Sequence, residues 1–120
     1  MKKIGFITTN RVLAQSFAVA AKHRPNREFE THLLLNPGQA AVDAEVLRLD
    51  AAVVDAADAA PGETAAFCQM MRQTNACRLL LLVPKTEREM AIRAVENKTA
   101  DDFVFYDASL DYLFAKLAAI

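Results

Sequence analysis

Leu49-Asp50-Ala51-Ala52-Val53-Val54-Asp55 is the stretch on which the reading of this chain turns. A small apolar run, Ala51 to Val54, stops abruptly at an acid. The segment behind it, Ala56 to Gly62, is small, polar and contains Pro and Gly. A short valine-bearing run of this kind, without polar alternation, predicts a strand buried on both faces. Asp55 then stands at its carboxyl end, where open parallel sheets place their sites.

Outward from this strand the same unit repeats. Ile4 to Ile7 predicts a first strand, broken at Thr8-Thr9-Asn10, with Asn10 capping a helix over Arg11 to Lys22. Val12, Leu13, Phe17 and Ala20 are its apolar stripe. His23 to Arg27 reads as a turn. Phe29 to Leu35 is a second strand, and Asn36-Pro37 starts a helix to about Leu49 that presents Ala41, Val42, Val46 and Leu49. After the Asp55 strand, Pro61-Gly62 opens a third helix to about Asn75, with Phe67, Met70 and Met71 inward. Leu79 to Val83 is the fourth and most apolar strand, ended by Pro84. Thr86 to Glu89 fits a capping box for a fourth helix with Met90, Ala94 and Val95 in the core. Phe103 to Phe105 is a fifth strand. Ser109 caps a last helix with Leu110, Leu113, Phe114 and Leu117 on one face. Five strands alternating with five helices imply an α/β fold, a parallel sheet covered on both sides.

Bulk properties narrow the function classes. The 120 residues make a single domain, residues 1–120, with 53% hydrophobic and 24% charged residues. A net charge of −1 gives no electrostatic reason to bind nucleic acid or an anionic membrane. The longest apolar run, Leu79 to Val83, is far too short to cross a bilayer, and Met1-Lys2-Lys3 is not followed by a signal-peptide core. Cys68 and Cys77 lack metal-ligand spacing and read as reduced thiols of a cytoplasmic protein, with a disulfide as the alternative. His23 and His32 have no partners at ligand spacing and read as surface or edge residues. Ser16 and Ser109 have no nucleophile context, and Gly5, Gly38 and Gly62 form no phosphate-binding loop. The chain therefore reads as a non-enzyme.

The element order, the lone acid ending the third strand, Asp50-Ala51-Ala52-Val53-Val54-Asp55 (similar to "DLVLLD") and Ala100-Asp101-Asp102-Phe103 (similar to "ADDY") resemble the receiver domains of bacterial two-component response regulators. The resemblance covers the whole chain. It implies a flavodoxin-like three-layer sandwich with strand order 2-1-3-4-5, two helices on one face and three on the other. It also implies a place in two-component signal transduction or a phosphorelay. In that family the acid ending strand three is the phospho-acceptor, here Asp55. The other hallmark positions differ. An acidic pair that holds magnesium reads Thr8 and Thr9, a Thr or Ser ending strand four reads Pro84, and a Lys ending strand five reads Tyr106, followed by Asp107. The chain resembles a degenerate receiver, or pseudo-receiver.

The chemistry of those substitutions can be argued from the residues themselves. Phosphoryl transfer to a carboxylate brings anions together and needs cationic charge in the transition state. Magnesium takes carboxylate oxygens and waters in an octahedron, and two threonine hydroxyls are poor substitutes. Proline offers neither hydroxyl nor N–H, and a tyrosine is neutral at pH 7. Each charge-assisted contact is worth about 1.5–3 kcal/mol, so losing several costs orders of magnitude in rate. Lys85, one position further on, is the remaining candidate charge, and Asp58 a second acid for a cation. Asp55 reads first as a strand-end carboxylate bonded to loop N–H groups, ahead of a phosphorylation role. Asp101 and Asp102 read as a turn and the start of a strand.

Three functions follow as expectations: a signalling module acting through protein contacts without phosphorylation and without magnesium or another cofactor; a working receiver phosphorylated at Asp55; or a small-molecule binder on the same architecture, since such folds host many functions. The expected partner is a signalling protein, an output module or a second copy of the chain. The expected surface is the fourth helix, fifth strand and last helix, with Tyr106, Tyr112, Arg88 and Arg93 as its candidates and Lys116 beside them.

Overall fold

The computed structural model describes residues 1–25, 28–57 and 62–120. Among these, five strands and five helices alternate: β1 (Lys2–Ile7), α1 (Arg11–Lys22), β2 (Phe29–Leu34), α2 (Ala40–Leu47), β3 (Ala51–Asp55), α3 (Glu63–Thr74), β4 (Arg78–Val83), α4 (Arg88–Glu96), β5 (Asp102–Phe105) and α5 (Leu110–Ala119). Short 3-10 turns, Pro37–Gln39 and Lys85–Glu87, lead into α2 and α4. All strand pairs are parallel, in the order β2-β1-β3-β4-β5. Asp58 and the Pro61 helix start lie outside the described residues, as do Asn26 and Arg27 of the expected turn.

Strand alternation divides the core into two layers. Ile4, Phe6, Ala51, Val53, Leu80, Leu82 and Val104 face α1 and α5, where Phe17, Ala21, Leu113, Phe114 and Leu117 cover them. Ile7, Ala52, Val54, Leu79, Leu81 and Val83 face α2, α3 and α4, which bring Ala40, Ala44, Cys68, Met71, Ala91 and Ala94. The expected two-and-three division of helices is therefore present. On the two-helix side a run of rings links distant elements. Phe6 and Phe17 lie 4.6 Å apart, Phe17 and Phe114 5.3 Å, and Phe29 and Phe114 5.6 Å. On the other side Gly5 makes room for Leu49, two residues before β3: a Cβ there would sit 2.5 Å from Leu49 Cδ1.

Several helix faces differ from the sequence expectation. Val12 is 75% exposed, Val42 54% and Val46 74%, while Ala14, Ala40 and Ala44 are buried. Small side chains let α1 and α2 lie close to the sheet, and the β-branched residues are turned outward. Met70 and Leu110 are exposed as well, with Cys68 and Met71 taking the inward positions of α3. Helix α2 ends at Leu47, because Arg48 turns into the left-handed region (φ 55°) and drops Leu49 into the core. The capping box at Thr86 does not form. Residues 85–87 are a 3-10 turn, and α4 starts at Arg88 without a side-chain cap. The caps at Asn10 and Ser109 do form, accepting from Leu13 N–H and Tyr112 N–H. Cys68 and Cys77 are free and buried. Burial pushes the Cys68 thiol up to about 11 and Cys77 upward too, each partly offset by the nearby Arg72.

Candidate functional site

The site lies at the carboxyl edge of the sheet, where β1 and β3 run side by side with Ile7 opposite Val54. This register puts the residue after Ile7 beside the one after Val54. Thr8 therefore meets Asp55, and its hydroxyl donates to Asp55 Oδ2 at 2.5 Å. The same hydroxyl oxygen accepts from the Asn10 N–H at 3.0 Å, and Asn10 Oδ1 accepts from Leu13 N–H at 3.0 Å. A continuous chain of hydrogen bonds thus runs from Asp55 through Thr8 into the first turn of α1. Thr8 is only 2% exposed, so its hydroxyl has little access to water.

The second carboxylate oxygen, Asp55 Oδ1, accepts from the Ala57 N–H at 3.0 Å. That N–H is also 3.0 Å from the Tyr106 hydroxyl oxygen, which accepts it too. Tyr106 follows β5, and its half-buried ring packs against the cluster containing Leu113 and Phe114. The phenol thus reaches inward, across the end of the sheet, to the loop behind Asp55.

Asp55, Thr8 and Thr9 line a cleft of about 210 Å³. Its other walls are Ile7, Val54, Pro37 and Phe67, with Ala57, Glu63 and Thr64 at the start of α3. No Lys, Arg or His is among these lining residues, and Asp55 and Glu63 supply the carboxylates. Among the described residues no group of three or more His, Cys, Asp or Glu is arranged to hold a metal ion. Pro84 stands half-buried after β4. Lys85 gives its ammonium to Asp107 at 2.8 Å, a solvent-exposed pair whose hydrogen bond holds the Asp107 carboxyl below its ordinary value. The ammonium of Lys85, the residue after Pro84, is thereby directed at the β5–α5 turn.

The proposed surface residues fall into two groups. Tyr112 is 49% exposed on α5, and Arg88 and Arg93 are exposed on α4, with Arg93 3.9 Å from Glu89. Lys116 is engaged with Asp102 at 2.8 Å, which raises its pKa, and lies 5.6 Å from the Tyr112 ring centre. Tyr106 turns toward the interior instead. The role of Ala57 had no signal in the sequence, because a backbone N–H is common to nearly every residue type. Thr8 was legible as a missing acid but not as a donor to Asp55, which needs the strand register.

The architecture is that of response regulator receiver domains among solved structures. A two-component response regulator from Clostridium difficile matches with a TM-score of 0.82 at 18% identity, covering 99% of this chain and 94% of that one. Chemotaxis protein CheY4 of Vibrio cholerae matches at 0.80 and 15%, covering 100% and 98%. A response regulator from Burkholderia pseudomallei with a phosphorylated aspartic acid, a calcium ion and citrate matches at 0.77 and 19%, covering 96% and 65%. At these identities the likeness concerns the fold. No protein-family model matches the sequence, and no curated protein matches it. No helix among the described residues is long and apolar enough to cross a membrane.

Proposed function

We propose that this chain is a receiver-like signalling module that works through protein contacts and does not depend on phosphorylation of Asp55. The observation that carries this reading is the occupancy of the Asp55 carboxylate. One oxygen takes the Thr8 hydroxyl and the other the Ala57 N–H. Neither contact brings a positive charge, and Lys85, the residue after Pro84, is paired with Asp107. An attacking carboxylate oxygen would have to leave its donor and meet a second anion in a cleft whose described lining residues include Asp55 and Glu63 and no base. The donor set also fits magnesium poorly: hydroxyls stand where carboxylates are needed, and one hydroxyl is buried and committed to Asp55.

The partner surface on this reading is the exposed side of α4 and α5, where Tyr112, Arg88 and Arg93 offer an aromatic and two guanidinium groups. The competing reading, a working receiver, is favoured by one feature: Asp55 lines an open cleft and is not sealed in the core.

Mass measurement after incubation with acetyl phosphate and magnesium separates the two. The expected spectrum is unchanged. A gain of one phosphoryl group that disappears in Asp55→Asn overturns the proposal. Titration with magnesium, followed by amide shifts around Asp55, is expected to show no saturation below about a millimolar. Tyr112→Ala and Arg93→Ala should weaken self-association or partner capture while barely moving the thermal midpoint. Unchanged association in both variants would place the working surface elsewhere.

A further inference from the structure

We infer that Tyr106 is a positioning residue: its phenol oxygen clasps the Ala57 amide and so couples Ala56 and Ala57, which follow β3, to the β5–α5 corner. The inference deepens the phosphorylation-independent reading, on which it rests, by naming what holds the site and the α5 side together.

The geometry is a set of ties across the carboxyl edge of three strands. The Ala56 N–H donates to Leu82 O at 2.9 Å, seating Ala56 on β4. The Tyr106 N–H donates to Val83 O at 3.1 Å, seating the end of β5 on the same strand. Lys85 and Asp107 join the two following turns at 2.8 Å. Between these fixed points the phenol oxygen and Asp55 Oδ1 share the Ala57 N–H, each at 3.0 Å. The Tyr106 ring is anchored in the cluster that includes Leu113 and Phe114 of α5. Displacing Ala57 therefore means pulling on Tyr106, and through its ring on the core cluster to which Leu113 and Phe114 of α5 belong.

The chemistry of the residue suits a permanent contact. A phenol is neutral at pH 7 and moves on two side-chain torsions, so it holds a neutral amide without needing an ion or a phosphoryl group. A long ammonium side chain, by contrast, is a flexible point charge that follows the charge beside it. With tyrosine here, the link between the Asp55 loop and the α5 corner is built into the sequence.

The test is amide hydrogen exchange and chemical-shift mapping on the full chain, comparing the parent with Tyr106→Phe, which keeps the ring. Ala57 is expected to be protected in the parent and to exchange about two- to tenfold faster in Tyr106→Phe, the range expected for one net hydrogen bond. Shift changes are expected to extend to Leu110–Leu113. In Asp55→Ala, Ala57 should keep part of its protection, and in the double variant it should lose the rest. Unchanged Ala57 exchange in Tyr106→Phe, free-peptide exchange in the parent, or shifts confined to residues 56–57 and 106 would each overturn the clasp. Phosphorylation of the parent by acetyl phosphate would overturn the phosphorylation-independent reading alone, because the clasp is judged on Ala57 exchange.

Discussion

Thr8 carries more of the site than its side chain suggests. Its hydroxyl donates to Asp55 and accepts from Asn10, so one buried oxygen joins the end of β3 to the start of α1. Replacing it with the near-isosteric valine keeps the volume and removes both roles. Asp55 Oδ2 then loses its donor and the Asn10 N–H loses its acceptor. A hydrogen bond contributes about 0.5–1.5 kcal/mol net, so Thr8→Val, which removes two, should lower the unfolding free energy by about 1–3 kcal/mol and the urea midpoint with it. Thr9→Val, at an exposed position, should leave it nearly unchanged. Equal midpoints for Thr8→Val and the parent, measured by urea unfolding, would show that Thr8 does not support Asp55. From the sequence alone Thr8 was readable only by what it lacked, a carboxylate. Its donor role depends on β1 and β3 being neighbours with Ile7 opposite Val54, a relation between residues 47 positions apart.

The elements themselves were largely legible, and their faces less so. Helix α1 spans the residues its pattern implies, and the caps at Asn10 and Ser109 form, because a cap is a local contact within three residues. The inward face is a tertiary property. In α2 the valines attract the eye as core, yet Ala40 and Ala44 are the buried residues and Val42 and Val46 are exposed. Two substitutions on this helix should therefore behave oppositely to a hydrophobicity rule. Val46→Lys, on the exposed side, should change stability by no more than about 0.5 kcal/mol. Ala44→Leu, more apolar than what it replaces, should destabilise by about 1–3 kcal/mol through overpacking. A large loss for Val46→Lys together with a tolerated Ala44→Leu, in thermal unfolding, would mean that α2 is rotated relative to this description.

At the scale of the whole molecule, the alternation of strands and helices fixed the layers, and the strand order followed the resemblance to receivers. What the sequence did not reveal was how the amino edge of the sheet is tied. Asp101 read as a turn residue, yet it bonds Arg72 of α3 at 2.7 Å, Arg78 of β4 at 3.2 Å and the Leu79 N–H at 2.8 Å. These partners are separated from it by more than twenty residues, so no local pattern announces them. Burial works against the charged form of Asp101, but the Arg72 hydrogen bond, the Leu79 N–H and Arg78 outweigh it and hold the carboxyl below its ordinary value. A carboxyl depressed in the folded state adds stability above its unfolded pKa, near 3.9 for aspartate, and that stability is lost as pH falls through the folded value. Asp101→Asn should consequently be less stable than the parent at neutral pH, and the gap should close as the pH drops below about 4. Urea midpoints of both proteins across pH 7 to 3 give the comparison. A gap that stays constant over that range would mean that the Asp101 charge contributes nothing and that the knot between α3, β4 and β5 is held by packing alone.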